Sequence, residues 1–217
     1  MHEKFITFEG IDGSGKSTQL RMLVESLRAR EIDFIATHEP GDTPLGRRLR
    51  EAFLETEETV APIAELLLFA ADRAQHVEHL IKPALAEGRI VISDRYADAT
   101  FAYQGSGRGF DEKTVNQLIE LATGGLKPGL TLFFDITVEL ALKRMSDRKG
   151  SDTIQNRMDR ETAEFYARVR DAYHGIAKRE PERFKVIDAN GSVDETHHKV
   201  VELTSEFLKI EWQFSQS

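Results

Sequence analysis

Short apolar runs alternate along the chain with longer stretches of helical periodicity. The runs are rich in Val, Ile and Phe, and they are too short for a buried helix and too apolar for a half-exposed strand. Runs of this kind suit parallel strands that are covered on both faces. The pattern therefore predicts an α/β fold, a five-stranded parallel sheet with helices on both faces. The five runs are Lys4 to Glu9, Phe34 to Thr37, Arg89 to Asp94, Leu130 to Ile136 and Phe184 to Asp188.

The segments between the runs carry helix signals. After Ser17, leucines and a valine recur at i, i+3, i+4 and i+7, which is the spacing of one helix face. The stretch after Val60 predicts a long, mostly buried helix that is interrupted near Pro83. No repeat or linker divides the 217 residues, so we expect a single domain over residues 1–217. Further helix starts are marked by the N-cap residues Asp111, Thr137 and Ser192.

Charge and composition exclude several classes of function. The formal net charge of −8 disfavours non-specific nucleic-acid binding, which usually relies on a basic face. The absence of cysteine excludes disulfides, thiolate metal sites and a thiol nucleophile. No apolar run approaches the roughly 18 residues that span a bilayer, and the N-terminus lacks a signal-peptide core. We therefore expect a soluble cytoplasmic protein without nucleic-acid or membrane partners.

A glycine-rich loop directly follows the first predicted strand. Its sequence fits G-x-x-x-x-G-K-[ST], in which backbone N–H groups surround phosphate oxygens and the lysine reaches the β and γ phosphates. A helix start adds the positive end of its dipole, and the serine hydroxyl suits Mg²⁺. We interpret the segment as a nucleotide-phosphate loop that binds ATP with Mg²⁺. It comprises Gly10, Ile11, Asp12, Gly13, Ser14, Gly15, Lys16, Ser17 and Thr18.

A phosphate loop is compatible with switches, motors and kinases. A GTP-dependent switch would need an N-K-x-D guanine-reading segment, and the chain contains none. A motor or assembly ATPase would need additional elements for oligomerisation or nucleic-acid binding, and an acidic chain of 217 residues hardly accommodates them. A small-molecule kinase needs an acceptor pocket, further cations and a segment that excludes water. These three features would distinguish a kinase from the other two classes.

Five motifs occur in the order and spacing of one family. FEGIDGSGKST, HEPGDTPLG, LLLFAADRAQH, DRYADATFAYQGSGRG and NRMDRE closely resemble the motifs of bacterial thymidylate kinases, from about Lys4 to about Asp188. The resemblance implies transfer of the γ-phosphoryl group of ATP to dTMP with Mg²⁺, a step in dTTP biosynthesis. It also implies the P-loop nucleoside-monophosphate-kinase fold and a homodimer. The alternative is another P-loop kinase of nucleosides or nucleotides, such as a deoxynucleoside kinase.

Three residues are expected to handle phosphate and metal. Asp94 ends a predicted strand, where a carboxylate can hold Mg²⁺ through water, although it could instead be a helix N-cap. The guanidinium of Arg95 suits the acceptor phosphate and the phosphoryl group in transfer, although a structural ion pair is the alternative. Glu9 resembles the family's acidic residue near the acceptor phosphate, Mg²⁺ and sugar hydroxyl; it could instead only cap the loop. We expect Lys16, Arg95 and Glu9 to be catalytic.

Helical spacing groups the residues expected to bind thymine. Phe69 and Arg73 are four apart, so the ring could stack on a pyrimidine while the guanidinium donates to its carbonyl oxygen. An aromatic at this spacing is otherwise more often part of a core. Thr100 and Gln104 are also four apart and could read the polar edge of the base. The resemblance adds two acceptor contacts, the loop residue Pro40 and the sugar-facing Tyr103.

A cationic segment is expected to form a mobile lid at about residues 144–159. One subclass of the family carries an arginine in the phosphate loop, whereas this loop has Asp12 and Gly13, so the resemblance places that arginine in the lid. We expect Arg148 to act as the catalytic lid arginine, with Arg144 and Arg157 as alternatives. The family's loop usually reads R-E-P-G-G, whereas residues 38–42 of this chain read HEPGD. The roles of His38 and Asp42, which replace the usual arginine and glycine, stay open.

Overall fold

The computed structural model describes residues 2–148 and 161–210 of the 217-residue chain. Five parallel strands form one sheet in the order β2-β3-β1-β4-β5, so β1 lies at its centre. This confirms the predicted five-stranded parallel sheet. The strands are β1 (His2–Glu9), β2 (Phe34–His38), β3 (Ile90–Asp94), β4 (Pro128–Asp135) and β5 (Phe184–Asp188).

Helices pack on both faces of the sheet, as predicted. The core side chains of β1 belong to two hydrophobic clusters: Ile6 and Phe8 to the larger one, and Phe5 to a smaller one with Val77 and Ile81. The helices are α1 (Lys16–Arg28), α2 (Pro44–Leu54), α3 (Pro62–His76), α4 (Lys82–Ala86), α5 (Ala97–Thr100), α6 (Glu112–Thr123), α7 (Val138–Arg148), α8 (Ala163–Arg179) and α9 (Val193–Leu208).

Local sequence signals explain several helix starts. The side chain of Asp111 accepts a hydrogen bond from the Thr114 N–H, and Ser192 forms a capping box with Glu195. The glycine that precedes α1 has no side chain to cap the helix, so its first N–H groups face the loop of Gly10 to Gly15. The start of α1 is thereby available to an anion.

Two wide helical turns were not predicted. The interruption expected near Pro83 is a π-helical segment over Val77–Ile81, which lies before the proline and joins α3 to α4. A second π-helical segment, Phe101–Gly107, continues α5. A π turn contains one extra residue. Because Pro83 lacks an N–H group and its ring crowds the carbonyl four residues earlier, the wide turn relieves this crowding.

Candidate active site

A cleft of about 870 Å³ opens at the carboxyl ends of the strands, the edge at which parallel α/β sheets bind ligands. The phosphate loop forms one wall, and the other is formed by the loop before α2, the second half of α2, helix α3 and the end of β3. The ends of α7 and of β5 border the opening. The lining includes Asp12, Gly13, Ser14, Gly15, Lys16, Ser17, Thr18, Pro40, Phe69, Arg73, Asp94, Arg95, Thr100, Tyr103, Gln104 and Arg144.

The phosphate loop has the backbone that its sequence predicts. Gly10, Gly13 and Gly15 adopt φ values of 145°, 83° and 92°, which side chains with a Cβ rarely adopt. The Nζ group of Lys16 donates to the carbonyl oxygens of Gly10 (2.9 Å) and Ile11 (3.1 Å). Burial, and after it the charge of Arg95, lower the pKa of Lys16 to about 8. The lysine is thus held at the centre of the loop, where phosphate oxygens would be its natural partners.

Ser17 and Asp94 are brought together across the loop and the end of β3. The Ser17 hydroxyl donates to Oδ2 of Asp94 at 3.2 Å. The side chain of Asp94 does not cap α5, whose N-cap residue is Tyr96. In the described ranges, no cluster of three or more His, Cys, Asp or Glu side chains could hold a metal by itself. Two adjacent hard oxygens fit Mg²⁺, which is commonly held by one or two protein oxygens, water and substrate phosphates.

Arg95 links the end of β3 to the phosphate loop. Its Nη2 group donates to Oδ1 of Asp12 at 2.6 Å and to the Tyr103 hydroxyl at 3.0 Å, and that hydroxyl donates to Oδ2 of Asp12 at 3.2 Å. Burial alone would raise the pKa of Asp12, but the charges of Arg95 and Lys16 hold this pKa below its usual value. The backbone of Arg95 has a φ of 71°, a conformation that non-glycine residues show mainly at constrained sites.

Glu9 is not among the residues that line the cleft, and its expected role near the acceptor phosphate stays a prediction. Its side chain is fully buried, and its two oxygens accept from the Tyr96 N–H and the Tyr173 hydroxyl, both at 2.8 Å. Burial, and then the charge of Asp98, raise the pKa of Glu9 to about 8. The carboxylate that borders Arg95 within the cleft is Asp12. Side chains alternate along a strand, and the alternation alone did not reveal how deep the last residue of β1 would lie.

The residues expected to read the base share one wall of the cleft. Phe69 lines the cleft and also packs edge-to-face on the core residue Phe53, at a centroid distance of 4.8 Å. Its ring therefore belongs both to the hydrophobic core and to the wall of the cleft. Arg73 is 2% exposed and donates to Glu39 (2.8 Å), to the Thr100 hydroxyl (2.7 Å) and to the Tyr96 carbonyl (2.9 Å). Its guanidinium is therefore fixed by the protein before any base is bound.

Gln104 is oriented by a buried carboxylate. Its Nε2 group donates to Oε1 of Glu65 at 3.0 Å, and Arg108 donates to both oxygens of Glu65 at 3.2 and 3.3 Å. Because one amide N–H is engaged in this way, the remaining donor and the carbonyl oxygen are the groups left for a ligand. Gln104 lies in the π-helical segment, so its position relative to Thr100 is not that of a regular α-helical pair.

The segment expected to form a lid, at about residues 144–159, is only partly within the described ranges. Arg144, Met145 and Asp147 of α7 line the cleft. Arg148 is the last residue of that helix, and its side chain lies outside the described part. Arg157 lies in residues 149–160, which are also outside it. The roles of the lid arginines therefore stay predictions.

The loop that departs from the family pattern is tied to the core. His38 and Asp42 approach each other, with 3.7 Å between Nδ1 and Oδ1, and Pro40 lines the cleft. The sequence reasoning missed Glu39, which holds Arg73, and His76, which holds Glu39 at 2.8 Å. A signal was present, because His76 follows Arg73 by three residues and so lies on the same face of α3.

Comparisons with known proteins agree with this geometry. A family model described as thymidylate kinase matches residues 8–200. The thymidylate kinase of Desulfosudis oleivorans is 47% identical over 201 residues, which cover 91% of this chain and 94% of the relative. That of Geotalea uraniireducens is 46% identical over 195 residues, covering 88% of this chain and 92% of the relative.

A solved structure extends the comparison to the fold. The crystal structure of thymidylate kinase from Ehrlichia chaffeensis superposes with a TM-score of 0.74 at 35% identity, covering 93% of this chain and 97% of that one. This chain belongs to the thymidylate kinase family.

Proposed function

We propose that the protein transfers the γ-phosphoryl group of ATP to dTMP, giving ADP and dTDP. One observation carries the proposal: the phosphate loop and a wall with a fixed arginine, an aromatic ring and an oriented amide face each other across a single cleft. An oxygen of the dTMP phosphate attacks the γ-phosphorus, and the bond to the β–γ bridging oxygen breaks. The protein supplies orientation and charge for this step.

The donor side consists of the phosphate loop and the start of α1. Lys16 would exchange its contacts with Gly10 and Ile11 for the β and γ phosphates. The N–H groups at the start of α1 would donate to the same anion. Ser17 and Asp94 would hold Mg²⁺, Asp94 through water. The bound cation would neutralise charge that develops on the phosphates.

The acceptor side consists of α3, the end of β3 and the segment that follows α5. Phe69 would stack on thymine, Arg73 would donate to a carbonyl oxygen, and Thr100 with Gln104 would contact the remaining polar edge. Arg95 would bind the dTMP phosphate and the group in transfer, while the ring of Tyr103 would lie against the sugar. Pro40 would complete the wall. Glu9 would help to orient the backbone next to Arg95, because its Oε1 accepts a hydrogen bond from the Tyr96 N–H.

A lid arginine would complete the charge stabilisation. Arg148 stays our first candidate because Arg144 and Asp147, in the same last turn of α7, line the cleft. Its cation would balance charge spread over the transferring oxygens. We propose that residues 1–217 form one kinase domain with this lid. The cytoplasmic location stays a prediction from the sequence.

An acceptor panel tests the proposed reaction. Purified protein is assayed with ATP and Mg²⁺ against dTMP, dUMP, dCMP, AMP, GMP and thymidine. We expect dTMP to have a higher kcat/KM than dCMP, AMP, GMP and thymidine, because Arg73 and Gln104 would face the carbonyl oxygens of thymine and Arg95 would bind the phosphate of dTMP. Preference for thymidine would contradict the assignment and favour the deoxynucleoside-kinase alternative.

The variant Arg73→Ala tests base recognition. We expect kcat/KM for dTMP to fall by roughly 10- to 150-fold, the range for hydrogen bonds to charged groups. Because the change leaves the buried charge of Glu39 unpaired, binding of an ATP analogue is measured in parallel as a control for folding. Arg21→Ala, an exposed arginine of α1, is the matched control. Unchanged dTMP kinetics would refute the assignment of Arg73.

We further propose a homodimer that forms through α3. Ile63 and Leu67 are half-exposed and four residues apart on this helix, so they form an apolar stripe on one face. We expect light scattering to give twice the 24.6-kDa chain mass and Leu67→Glu to give monomers. Val186→Glu, on the edge strand β5, is the control. A wild-type protein of single-chain mass would contradict the dimer.

A further inference from the structure

A continuous row of hydrogen bonds runs beneath the acceptor wall from the surface to Arg73. Thr37 donates to Oδ2 of Asp42 at 2.5 Å, and the Thr37 oxygen lies 2.7 Å from Nε2 of His76. The other ring nitrogen of His76, Nδ1, lies 2.8 Å from Oε1 of Glu39. The second oxygen of Glu39 accepts from Arg73. His76 is 1% exposed and Glu39 4% exposed, so the row is closed to solvent except at Asp42.

Counting protons along this row assigns the state of the His76 ring. An ionised carboxylate only accepts, so the single hydroxyl proton of Thr37 is used by Asp42. The Thr37 oxygen must then accept from Nε2, and Glu39 must accept from Nδ1. Both ring nitrogens therefore carry protons, which makes His76 an imidazolium. A neutral ring would require either Asp42, whose side chain is 30% exposed, or Glu39 to hold the proton instead. Burial alone would raise the pKa of Glu39, but the charge of Arg73 and the hydrogen bond with His76 hold this pKa below its usual value, which leaves Asp42 as the alternative.

We propose that His76 is a positioning residue, kept as an imidazolium by Asp42 through Thr37, and that it fixes Glu39 so that Arg73 faces the acceptor base. The inference rests on the proposed function, because it explains how the arginine that would read thymine is oriented. It also gives a role to Asp42, the acidic residue that stands where the family usually has glycine. The imidazolium balances the two carboxylates that it joins.

The other charged groups near the ring do not replace this arrangement. Asp72, on the same helix, accepts from the Gly41 N–H at 3.1 Å, and burial raises its pKa to about 6. Arg73 is engaged by Glu39, and His38 lies beside Asp42 at the exposed end. Arg50 of α2 donates to the Pro40 carbonyl. Within the described residues, Thr37 and Glu39 are the hydrogen-bond partners of His76.

Nitrogen NMR of the imidazole rings tests the proton assignment without any substrate. The chain has seven histidines, and a His76→Gln spectrum identifies the signals of His76. At pH 7.5 we expect both nitrogens of His76 to carry protons in the wild type. In Asp42→Asn, whose amide can donate to Thr37, we expect the neutral ring with its proton on Nδ1. A neutral wild-type ring, or an imidazolium that persists in Asp42→Asn, would overturn the proposal.

Steady-state kinetics test the positioning role. We expect Thr37→Val to raise KM for dTMP by roughly 5- to 30-fold, since one buried hydrogen bond is lost, while KM for ATP stays constant. Asp42→Asn, a change at a partly exposed site, is expected to raise KM for dTMP in the same direction. Asp33→Asn is the control; Asp33 directly precedes β2, pairs with Arg89 and is more exposed (74%) than Asp42 (30%).

The outcomes separate this inference from the proposed reaction. Unchanged KM for dTMP in both variants, with dTMP turned over normally, would overturn the positioning role alone. Failure of the wild type to phosphorylate dTMP would refute the proposed function, whereas the NMR result on His76 would stand or fall independently. A raised KM with an unchanged thermal midpoint supports positioning rather than a general loss of structure.

Discussion

Glu9 illustrates what a single buried carboxyl group does to this protein. It ends the central strand and is fully buried, and its hydrogen-bond partners within residues 2–148 and 161–210 are the Tyr96 N–H and the Tyr173 hydroxyl. Burial and Asp98 raise its pKa to about 8, so the folded protein holds a proton that an unfolded glutamate releases near pH 4.5. Between these values the folded state binds more protons than the unfolded state. The contribution of Glu9 to the free energy of unfolding therefore falls as the pH rises.

Glu9→Gln removes this pH dependence. A neutral amide can still accept from the Tyr96 N–H and donate to the Tyr173 oxygen. We expect the free energy of unfolding of the variant, relative to the wild type, to increase by roughly 1–3 kcal/mol between pH 5.5 and pH 8, because each pH unit contributes about 1.4 kcal/mol. Urea unfolding at several pH values measures the difference. A constant difference across that interval would contradict a proton held by Glu9.

At the residue scale, the sequence predicted the donor side better than the acceptor side. The phosphate loop is contiguous, so its motif places Gly10 to Ser17 without reference to other elements. The acceptor residues depend on contacts between distant segments, such as Glu39 with Arg73 or Asp12 with Arg95. No spacing rule reveals such pairs. Glu9 and Asp12 are three residues apart, and only the folded chain distinguishes the one below the cleft from the one within it.

At the scale of elements, Gly13 sets how closely the phosphate loop approaches α7. A Cβ atom at Gly13 would lie 2.5 Å from the Ala141 carbonyl oxygen, much closer than real Cβ contacts. Helix α7 therefore packs directly on the loop backbone. Gly15 also has a positive φ, but a Cβ atom there would meet nothing within 4 Å. A substitution at Gly15 would therefore cause backbone strain alone, whereas a substitution at Gly13 would cause backbone strain and a steric clash with α7.

The pair Gly13→Ala and Gly15→Ala tests this packing. We expect Gly15→Ala to lower the free energy of unfolding by about 1–2 kcal/mol, the cost of a left-handed alanine. Gly13→Ala should lower it further, by at least another ~1 kcal/mol, since α7 must also move. Chemical denaturation without nucleotide measures both. Equal losses would show that Ala141 yields without cost.

Element boundaries were predictable where the signals are local. The predicted N-cap residues Asp111, Thr137 and Ser192 accept hydrogen bonds from backbone N–H groups with their side chains, and the apolar runs lie within two residues of the strands. The π-helical segments were not predictable, because the same residues suit an α-helix and only the backbone hydrogen bonds distinguish the two. This matters for the site, since Tyr103 and Gln104 are presented from such a segment.

At the scale of the whole molecule, the alternation of apolar runs and helices was sufficient to predict the sheet. Strand order was a different matter. The placement of β3 between β1 and β2 brings Asp94 next to Ser17, although 77 residues separate them. A parallel sheet gathers every carboxyl end at one edge, and this explains why residues from segments far apart in the sequence meet there. Composition and charge argued against nucleic-acid binding and thiol chemistry, but they did not identify any residue of the site. Among the described residues, no helix is long and apolar enough to cross a bilayer.

The pair formed by Asp12 and Arg95 gives the two substrates a shared partner. Asp12 belongs to the loop expected to hold ATP, whereas Arg95 is expected to hold the phosphate of dTMP, and 2.6 Å separates their polar atoms. We expect a monophosphate that binds Arg95 to release Asp12 and thereby to alter the loop, so that binding at one site would change binding at the other. Thermodynamic linkage then requires dTMP and an ATP analogue to change each other's dissociation constants by one common factor. Calorimetric titrations of each nucleotide with and without the other measure that factor. Asp12→Asn should bring it towards one, and a factor of one in the wild type would show that the two sites are independent.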